Sequence, residues 1–206
     1  MDVSVRVLNE TPDYDVRFEE VRTRKGDVNS VQKDFMFSAD SWFKKFVQEH
    51  STIEVVLLRI TFHGVKKSER NQIVRATKQH PRFFVGSDRP DRNGGKPRDH
   101  EALEDFDMVV NPLGLINIAR QRLCTGTELN TREAVTKLKL RLLLSTTSPL
   151  LSALGSALVP NCVYRGGCTE NVDGRDCFGV CNKNHSLVDR YAAFDAETLE
   201  VLSNDH

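Results

Sequence analysis

Asn111, Asn117 and Arg122 are the polar side chains of this sequence best suited to chemistry, because all three fall within one short segment with a helical pattern. The segment from Asn111 to Cys124 opens with a natural N-cap followed by proline, and its apolar residues recur at helical spacing. An amide and a guanidinium on a half-buried helix suit recognition of a planar, hydrogen-bonding ring or of a phosphate. A satisfied core asparagine and a surface arginine would give the same pattern, so the sequence leaves both interpretations open.

Four of the five cysteines form a second group, at the spacing Cys162-x5-Cys168-x8-Cys177-x3-Cys181. Thiolates this close together can surround a structural zinc ion, and the glycines between them permit the tight turns of a small knuckle. Two disulfides or unliganded thiols are the alternatives, and the lack of an apolar signal segment at the start argues against disulfides. A catalytic metal is not expected, because four sulfur ligands leave no open position. We expect the fifth cysteine, Cys124, to be a small buried residue.

The charge distribution narrows the class of ligand. Acids and bases balance to a net charge of zero, which does not favour general polyanion binding. Between Arg59 and Arg98, however, there are eleven lysines and arginines against three acids. This basic segment indicates either a phosphate-bearing ligand or a solvated charged face. No apolar run reaches the length of a membrane span, so we expect a cytoplasmic protein with no membrane partner.

The elements that must position these residues follow from apolar periodicity and capping signals. Ser38 or Asp40 can cap a helix that ends near His50, and the stretch from Pro81 to Pro97 is typical of a functional loop. The tail from residue 191 to 202 is either a strand hairpin or a short helix. The other predicted elements are strands at 3–8 and 53–63 and helices at 68–79, 127–147 and 150–158.

The order of these features resembles the C-terminal half of the flavin-dependent thymidylate synthases (the ThyX family). A helix that opens at Asn111 carries Asn117 and Arg122, a second capped helix follows, and residues 160–170 read P-x-C-x5-C-x-E. The resemblance covers roughly residues 40 to 170 and rests on spacing more than on identity.

The upstream half is similar in outline. A helix ends at His50, a strand contains residues 61 and 62, and the next helix carries Gln72 and Arg75. The family's Arg-His-Arg triplet reads Arg75-Ala76-Thr77 here, and a Ser-x-Arg pattern stands at 87–89, two residues later than in the family. The loop that would bind phosphates therefore differs in sequence from that of the family.

By this resemblance the chain is an α+β protein with a ThyX-like fold, a mixed or antiparallel sheet flanked by long helices. Residues 1–160 would form that domain, and residues 161–206 a small Cys-rich extension packed on the same domain. The resemblance implies FAD as cofactor, NADPH and methylenetetrahydrofolate as co-substrates, and a homotetramer. The cofactor-binding residues would be His50, Arg75, Asn111 and Asn117, and the substrate-binding residues Gln72, Ser87, Arg89 and Arg122. Arg122 would contact the nucleotide base and serve as the catalytic residue.

Several functions stay open at this stage. The chain could transfer a one-carbon unit to dUMP or to a related pyrimidine deoxynucleotide, with the flavin doing the reductive work. It could also keep the fold as a catalytically inactive binding or assembly module. A zinc-knuckle nucleic-acid binder is disfavoured, because the last forty residues are more acidic than basic.

Overall fold

Segments in which apolar and polar residues alternate form an antiparallel sheet at the centre of the molecule. The computed structural model describes residues 2–77, 82–85, 103–168 and 185–204. The strands within these ranges are β1 (Asp2–Val7), β2 (Leu58–Lys66), β3 (Arg82–Val85) and β4 (Leu103–Val110), and they lie in the order β1-β2-β4-β3. Val3 pairs with Phe62, and Phe62 pairs with Phe106, so that the two phenylalanine rings stack in the core at 5.0 Å.

Long helices pack on this sheet and on one another, as the sequence predicts for an α+β protein. The helices are α1 (Pro12–Thr23), α2 (Ala39–Val47), α3 (Lys67–Arg75), α4 (Pro112–Arg122), α5 (Leu129–Leu143), α6 (Pro149–Ala157), α7 (Asn161–Arg165) and α8 (Leu187–Asn204). α5 lies against β1 and α6, α6 lies against α2, and α8 lies against α5, α6 and α7. None of the described helices combines the length and the apolar character needed to cross a lipid bilayer.

Gly155 brings α6 very close to the last turn of α5. A Cβ at this position would lie 2.4 Å from the backbone nitrogen of Leu143, so a side chain does not fit. At the same crossing the fully buried ammonium of Lys139 donates to the carbonyl oxygen of Gly155 at 2.9 Å and pairs with Asp195 of α8. Lys139 therefore joins three helices at one point.

Arg190 fixes the start of α8 against the end of α7. Its guanidinium donates to the carbonyl oxygens of Val163 at 2.7 Å, Tyr164 at 3.0 Å and His185 at 2.6 Å. These carbonyls belong to a helix end and a turn, where backbone acceptors have no helical partner. The elements after residue 160 thus pack on α4, α5 and α6, whereas the division into 1–160 and 161–206 stays a prediction.

Several local signals are confirmed in the structure. Ser38 caps α2 by accepting a hydrogen bond from the Ser41 N–H, and Asn111 caps α4 in front of Pro112. The tail is helical rather than a hairpin, because α8 runs from Leu187 to Asn204.

Other boundaries were wrong, for reasons that lie in side-chain hydrogen bonds. The strand predicted for 53–63 is a short 3-10 helix at Ser51–Val55 followed by β2, because Asn9 binds the Leu57 N–H and the Val55 carbonyl just before the ladder begins. α5 begins at Leu129 rather than at 127, since the Glu128 carboxylate accepts from the Asn130 and Thr131 N–H groups.

The segment between α3 and α4 was also predicted incorrectly. α3 ends at Arg75, where the Ala76 N–H turns back to the Ile73 carbonyl, instead of running to residue 79. β3 at Arg82–Val85 lies within the stretch predicted as a loop, and β4 was not predicted at all.

Candidate functional site

A cavity of about 510 Å³ opens between α3, α4 and α7, beside the turn that joins α4 to α5. Its volume lies in the range of small-molecule sites. Its wall combines amides, arginines, thiols and a tyrosine ring. The lining residues are Gln72, Asn117, Arg120, Gln121, Arg122, Cys124, Gly126, Thr127, Glu128, Asn161, Cys162, Tyr164, Arg165 and Cys168.

The amides of this wall are free to bind a ligand. Asn117 is half-buried on α4, yet its side chain makes no hydrogen bond to any other described residue, and the same holds for the side-chain amides of Gln72, Gln121 and Asn161. Each amide offers both a donor and an acceptor. Four unpaired amides around one cavity can therefore recognise the carbonyl and ring N–H edges of a heterocycle.

Arg122 reaches across the cavity from α4 to α3. Its Nε donates to the backbone carbonyl oxygen of Gln72 at 2.8 Å, which fixes the guanidinium at the end of α3. Burial, and then the nearby charge of Arg75, holds the pKa of Arg122 below its usual range. Gln72, Arg75 and Arg122 thus lie near one another at the end of α3, while their roles in binding stay predictions.

Arg120 is a wall residue that the sequence analysis did not identify. Its guanidinium lies 3.9 Å from the centre of the Tyr164 ring and pairs with the Glu49 carboxylate at 2.5 Å. Its Nε is buried and has no hydrogen-bond acceptor among the described residues. A signal was present, because Arg120 follows Asn117 by three residues and so shares its helix face.

The aromatic part of this wall is continuous with the core. Burial raises the pKa of Tyr191 to about 12, with Arg120 as a smaller opposing influence. Tyr191 also packs edge-on against Phe43 of α2 at 5.6 Å. The Arg120–Tyr164 pair is therefore supported from behind by α8 and α2.

The wall of the cavity is positively charged. Arg120, Arg122 and Arg165 line it; Arg120 pairs with Glu49, which leaves Arg122 and Arg165 against the single lining carboxylate, that of Glu128. That carboxylate is already occupied, because it caps α5 and accepts from the Thr131 hydroxyl at 2.7 Å; this hydrogen bond lowers the pKa of Glu128. An anionic group on the ligand would complement these charges.

Three residues that the resemblance implies as cofactor-binding, His50, Arg75 and Asn111, do not line the cavity. The Asn111 Oδ1 accepts from the Gly114 N–H at 2.9 Å and so acts as a helix cap. The His50 Nδ1 lies 2.8 Å from the Thr52 hydroxyl and begins the 3-10 helix at Ser51–Val55. Ser87, Arg89, Cys177 and Cys181 lie outside the described residues.

The described cysteines belong to the cavity wall. Cys124 is half-exposed and lines the cavity, so the prediction that it is buried was wrong. Cys162 is buried on α7 and Cys168 is half-exposed, and both also line the cavity. Within the described ranges no three His, Cys, Asp or Glu side chains come close enough to hold a metal ion, so the structure gives the zinc prediction no support.

Comparison with known proteins places the fold. The structure is similar to that of the flavin-dependent thymidylate synthase ThyX from Helicobacter pylori, solved in complex with FAD and dUMP. The similarity has a TM-score of 0.55 at 10% sequence identity and covers 77% of this chain and 100% of the ThyX chain. No protein-family model and no curated protein sequence matches the chain. The chain therefore has a ThyX-like α+β fold, as predicted, while the Cys-rich knuckle and membership of the ThyX family stay predictions.

Proposed function

We propose that this chain binds a pyrimidine deoxynucleotide in the cavity between α3, α4 and α7, and that it uses FAD to transfer a one-carbon unit to dUMP or a related nucleotide. The observation that carries the proposal is the set of unpaired amides around that cavity together with Arg122 and Arg165, which have no acidic partner among the described residues, in a fold similar to ThyX. Among the described residues the Arg120 Nε is the one buried side-chain nitrogen or oxygen atom without a partner, and the wall amides are open to solvent and available to pair with a polar ligand.

The nucleotide is the better supported of the two ligands. A uracil ring presents two carbonyl groups and one N–H on its edges, which the amides of Gln72 and Asn117 can bind. The monophosphate carries negative charge, which the arginines of the wall attract. Arg122 would touch the nucleotide, and through it the reacting ring, as the proposed catalytic residue.

The fit to a flavin is partial. Asn117 lines the cavity and could bind the edge of an isoalloxazine, whereas the Asn111 oxygen is engaged in the cap of α4 and His50 binds Thr52. Arg75 lies near Arg122 and could hold a cofactor phosphate. The flavin, when bound, would supply the hydride, with NADPH as its reductant and methylenetetrahydrofolate as the one-carbon donor. The chain's own residues would orient these planar partners.

One observation favours a second candidate, an inactive binding module of the same fold. Ala76 occupies the position of the histidine in the family's Arg-His-Arg triplet, and it is fully buried, so the larger ring would not fit there. The Thr77 hydroxyl, at the position of the second arginine, donates to the Val74 carbonyl at 2.7 Å and completes the end of α3. These two positions now serve the fold.

The visible absorbance spectrum of the purified protein separates these functions. A flavin band, present on purification or after addition of FAD and removal of excess, supports the flavoenzyme. A colourless protein that takes up no FAD but binds dUMP supports the inactive module. If neither ligand binds, the proposed function is wrong.

Once binding is established, Arg122→Ala tests the assignment of residues. We expect it to weaken dUMP binding about tenfold or more, with a much smaller effect on FAD. Arg24→Ala is the matched control, because Arg24 is exposed after α1 and does not line the cavity. Equal losses of both ligands would contradict the assignment of Arg122 to the nucleotide.

Two further proposals are an oligomer, which rests on the resemblance, and a zinc site, which rests on the cysteine spacing. We propose a homotetramer, which light scattering would measure. We also propose structural zinc on Cys162, Cys168, Cys177 and Cys181, for which metal analysis should find one zinc per chain. Four titratable thiols and no zinc would remove that site.

A further inference from the structure

Two guanidinium groups lie close together at the end of α3 without a carboxylate between them. Gln72 and Arg75 are three residues apart on α3 and therefore share one face of the helix. Arg122 donates to the backbone carbonyl of Gln72, one helical turn before Arg75, and lies close enough to feel the charge of Arg75. Among the described residues, neither Arg75 nor Arg122 has an acidic partner.

The carbonyl groups at the end of α3 bind only part of the Arg122 guanidinium. The carbonyl end of α3 carries partial negative charge, and it engages Nε of Arg122. A guanidinium has five N–H groups, so the terminal amino groups of Arg122 stay available. They are not among the buried unpaired atoms of the described residues, so solvent or a ligand can reach them. The cost of holding two like charges together would be offset by an anion.

We propose that Arg122, which lines the cavity, and the nearby exposed Arg75, which does not line it, together form an oxyanion site and bind the phosphate group of the nucleotide. This inference rests on the proposed function and changes two of its details, because the family resemblance assigns Arg122 to the base and Arg75 to the cofactor. Two guanidinium groups with free N–H donors match the oxygens of a phosphate. The amides of Gln72 and Asn117 are then left to recognise the ring.

Calorimetric titration with dUMP and with deoxyuridine, which lacks the phosphate, tests the assignment. We expect wild-type protein to bind dUMP at least about tenfold more tightly than deoxyuridine. Arg122→Ala and Arg75→Ala should each remove most of that difference and leave the affinity for deoxyuridine within about twofold. Arg141→Ala, an exposed arginine on α5 away from the cavity, should behave as wild type. Circular dichroism melting confirms that each variant is folded.

Two outcomes would overturn the site while the proposed function stands. If Arg122→Ala weakens dUMP and deoxyuridine equally, Arg122 binds the base. If Arg165→Ala alone removes the preference for dUMP, the phosphate lies at the α7 side of the cavity.

Inorganic phosphate tests the oxyanion site independently of nucleotide binding. It should raise the unfolding temperature of wild-type protein, because a ligand that binds the folded state stabilises it, and should not raise that of the Arg75→Ala/Arg122→Ala double variant. This result with no binding of dUMP would refute the proposed function but keep the oxyanion site. An equal effect on both proteins would refute the oxyanion site itself.

Discussion

Substitution of Gly155 by alanine tests the close approach of α5 and α6 in the core. An alanine Cβ would lie 2.4 Å from the Leu143 nitrogen, 2.6 Å from the Leu143 Cα and 2.9 Å from the Leu142 carbonyl carbon. Ordinary contact begins at 3.4 Å, so the two helices must separate by about 1 Å. All three atoms belong to the backbone and cannot rotate away.

The free-energy change follows from three effects. Overpacking of this kind costs about 1–3 kcal/mol. The hydrogen bond from the buried Lys139 ammonium to the Gly155 carbonyl, now 2.9 Å long, would lengthen, and its loss costs about 1.5–3 kcal/mol. The better helix propensity of alanine returns about 1 kcal/mol. We therefore expect Gly155→Ala to lower the free energy of unfolding by about 3 kcal/mol, and the unfolding temperature by about 6–12 °C.

Urea and thermal unfolding followed by circular dichroism measure this change. Gly126→Ala is the matched control, because its Cβ would meet only the Cys124 sulfur, at an ordinary 3.7 Å. We expect this control to stay within about 0.5 kcal/mol of wild type. Gly155→Ala with a raised free energy of unfolding would refute the close approach, since helix propensity alone would then decide the sign.

Three further predictions test the buried ion pair, the buried tyrosine and the helix cap that support the fold. Asp195→Ala leaves the Lys139 ammonium buried without its carboxylate and should cost about 3 kcal/mol at neutral pH, more than Lys139→Met. Burial lowers the pKa of Lys139 below 10.5 in the folded state, so the unfolded chain binds more protons than the folded protein as the pH approaches 10.5. The free energy of unfolding should therefore rise as the pH is raised toward 10.5. A urea midpoint of Asp195→Ala that does not change with pH would contradict this. The pKa of Tyr191 is about 12 in the folded protein against 10.0 in the unfolded chain, so the unfolded chain loses this proton first. The protein should therefore become less stable as the pH rises above 10, and Tyr191→Phe should remove that loss in alkaline urea titrations. Asn111→Ala should cost about 1 kcal/mol while Asn111→Asp keeps the cap; equal stability in urea would show that the cap is unimportant.

The sequence predicted those elements whose signals are local. Asn111 and Pro112 mark the start of α4, and Ser38 with the aromatic face of Trp42 and Phe46 marks α2. Both helices carry a cap and an apolar stripe within a few residues of each other. Their positions could therefore be predicted without knowing what packs against them.

Elements that depend on distant partners could not be predicted in this way. α1 has buried Asp13 and Glu20, which become understandable only when Asp13 accepts from the Trp42 indole at 3.1 Å and Glu20 pairs with Lys45. α1 has no apolar face that would mark it in the sequence, and its buried carboxylates are bound by side chains of α2.

The residues of the candidate site differ in the same way: some could be predicted from local spacing, and others could not. Asn117, Gln72 and Arg122 were predicted because the spacing within α3 and α4 resembles that of a known family. Tyr164 and Arg165 carry no such signal, and they join the cavity only because α7 packs against α4. The same packing brings Cys162 and Cys168 to the wall of the cavity, a position that their metal-like spacing did not indicate.

Titration calorimetry of dUMP against FAD-supplemented protein, with wild type and Asn117→Ala side by side, tests the central claim most directly. Asn117 has an unpaired amide in the cavity wall, and the exposed Asn29 provides a matched Asn29→Ala control. We predict saturable binding to wild type and to the control, and affinity about tenfold weaker in Asn117→Ala. No saturable binding of dUMP, or equal affinity in all three proteins, would contradict a nucleotide site between α3, α4 and α7.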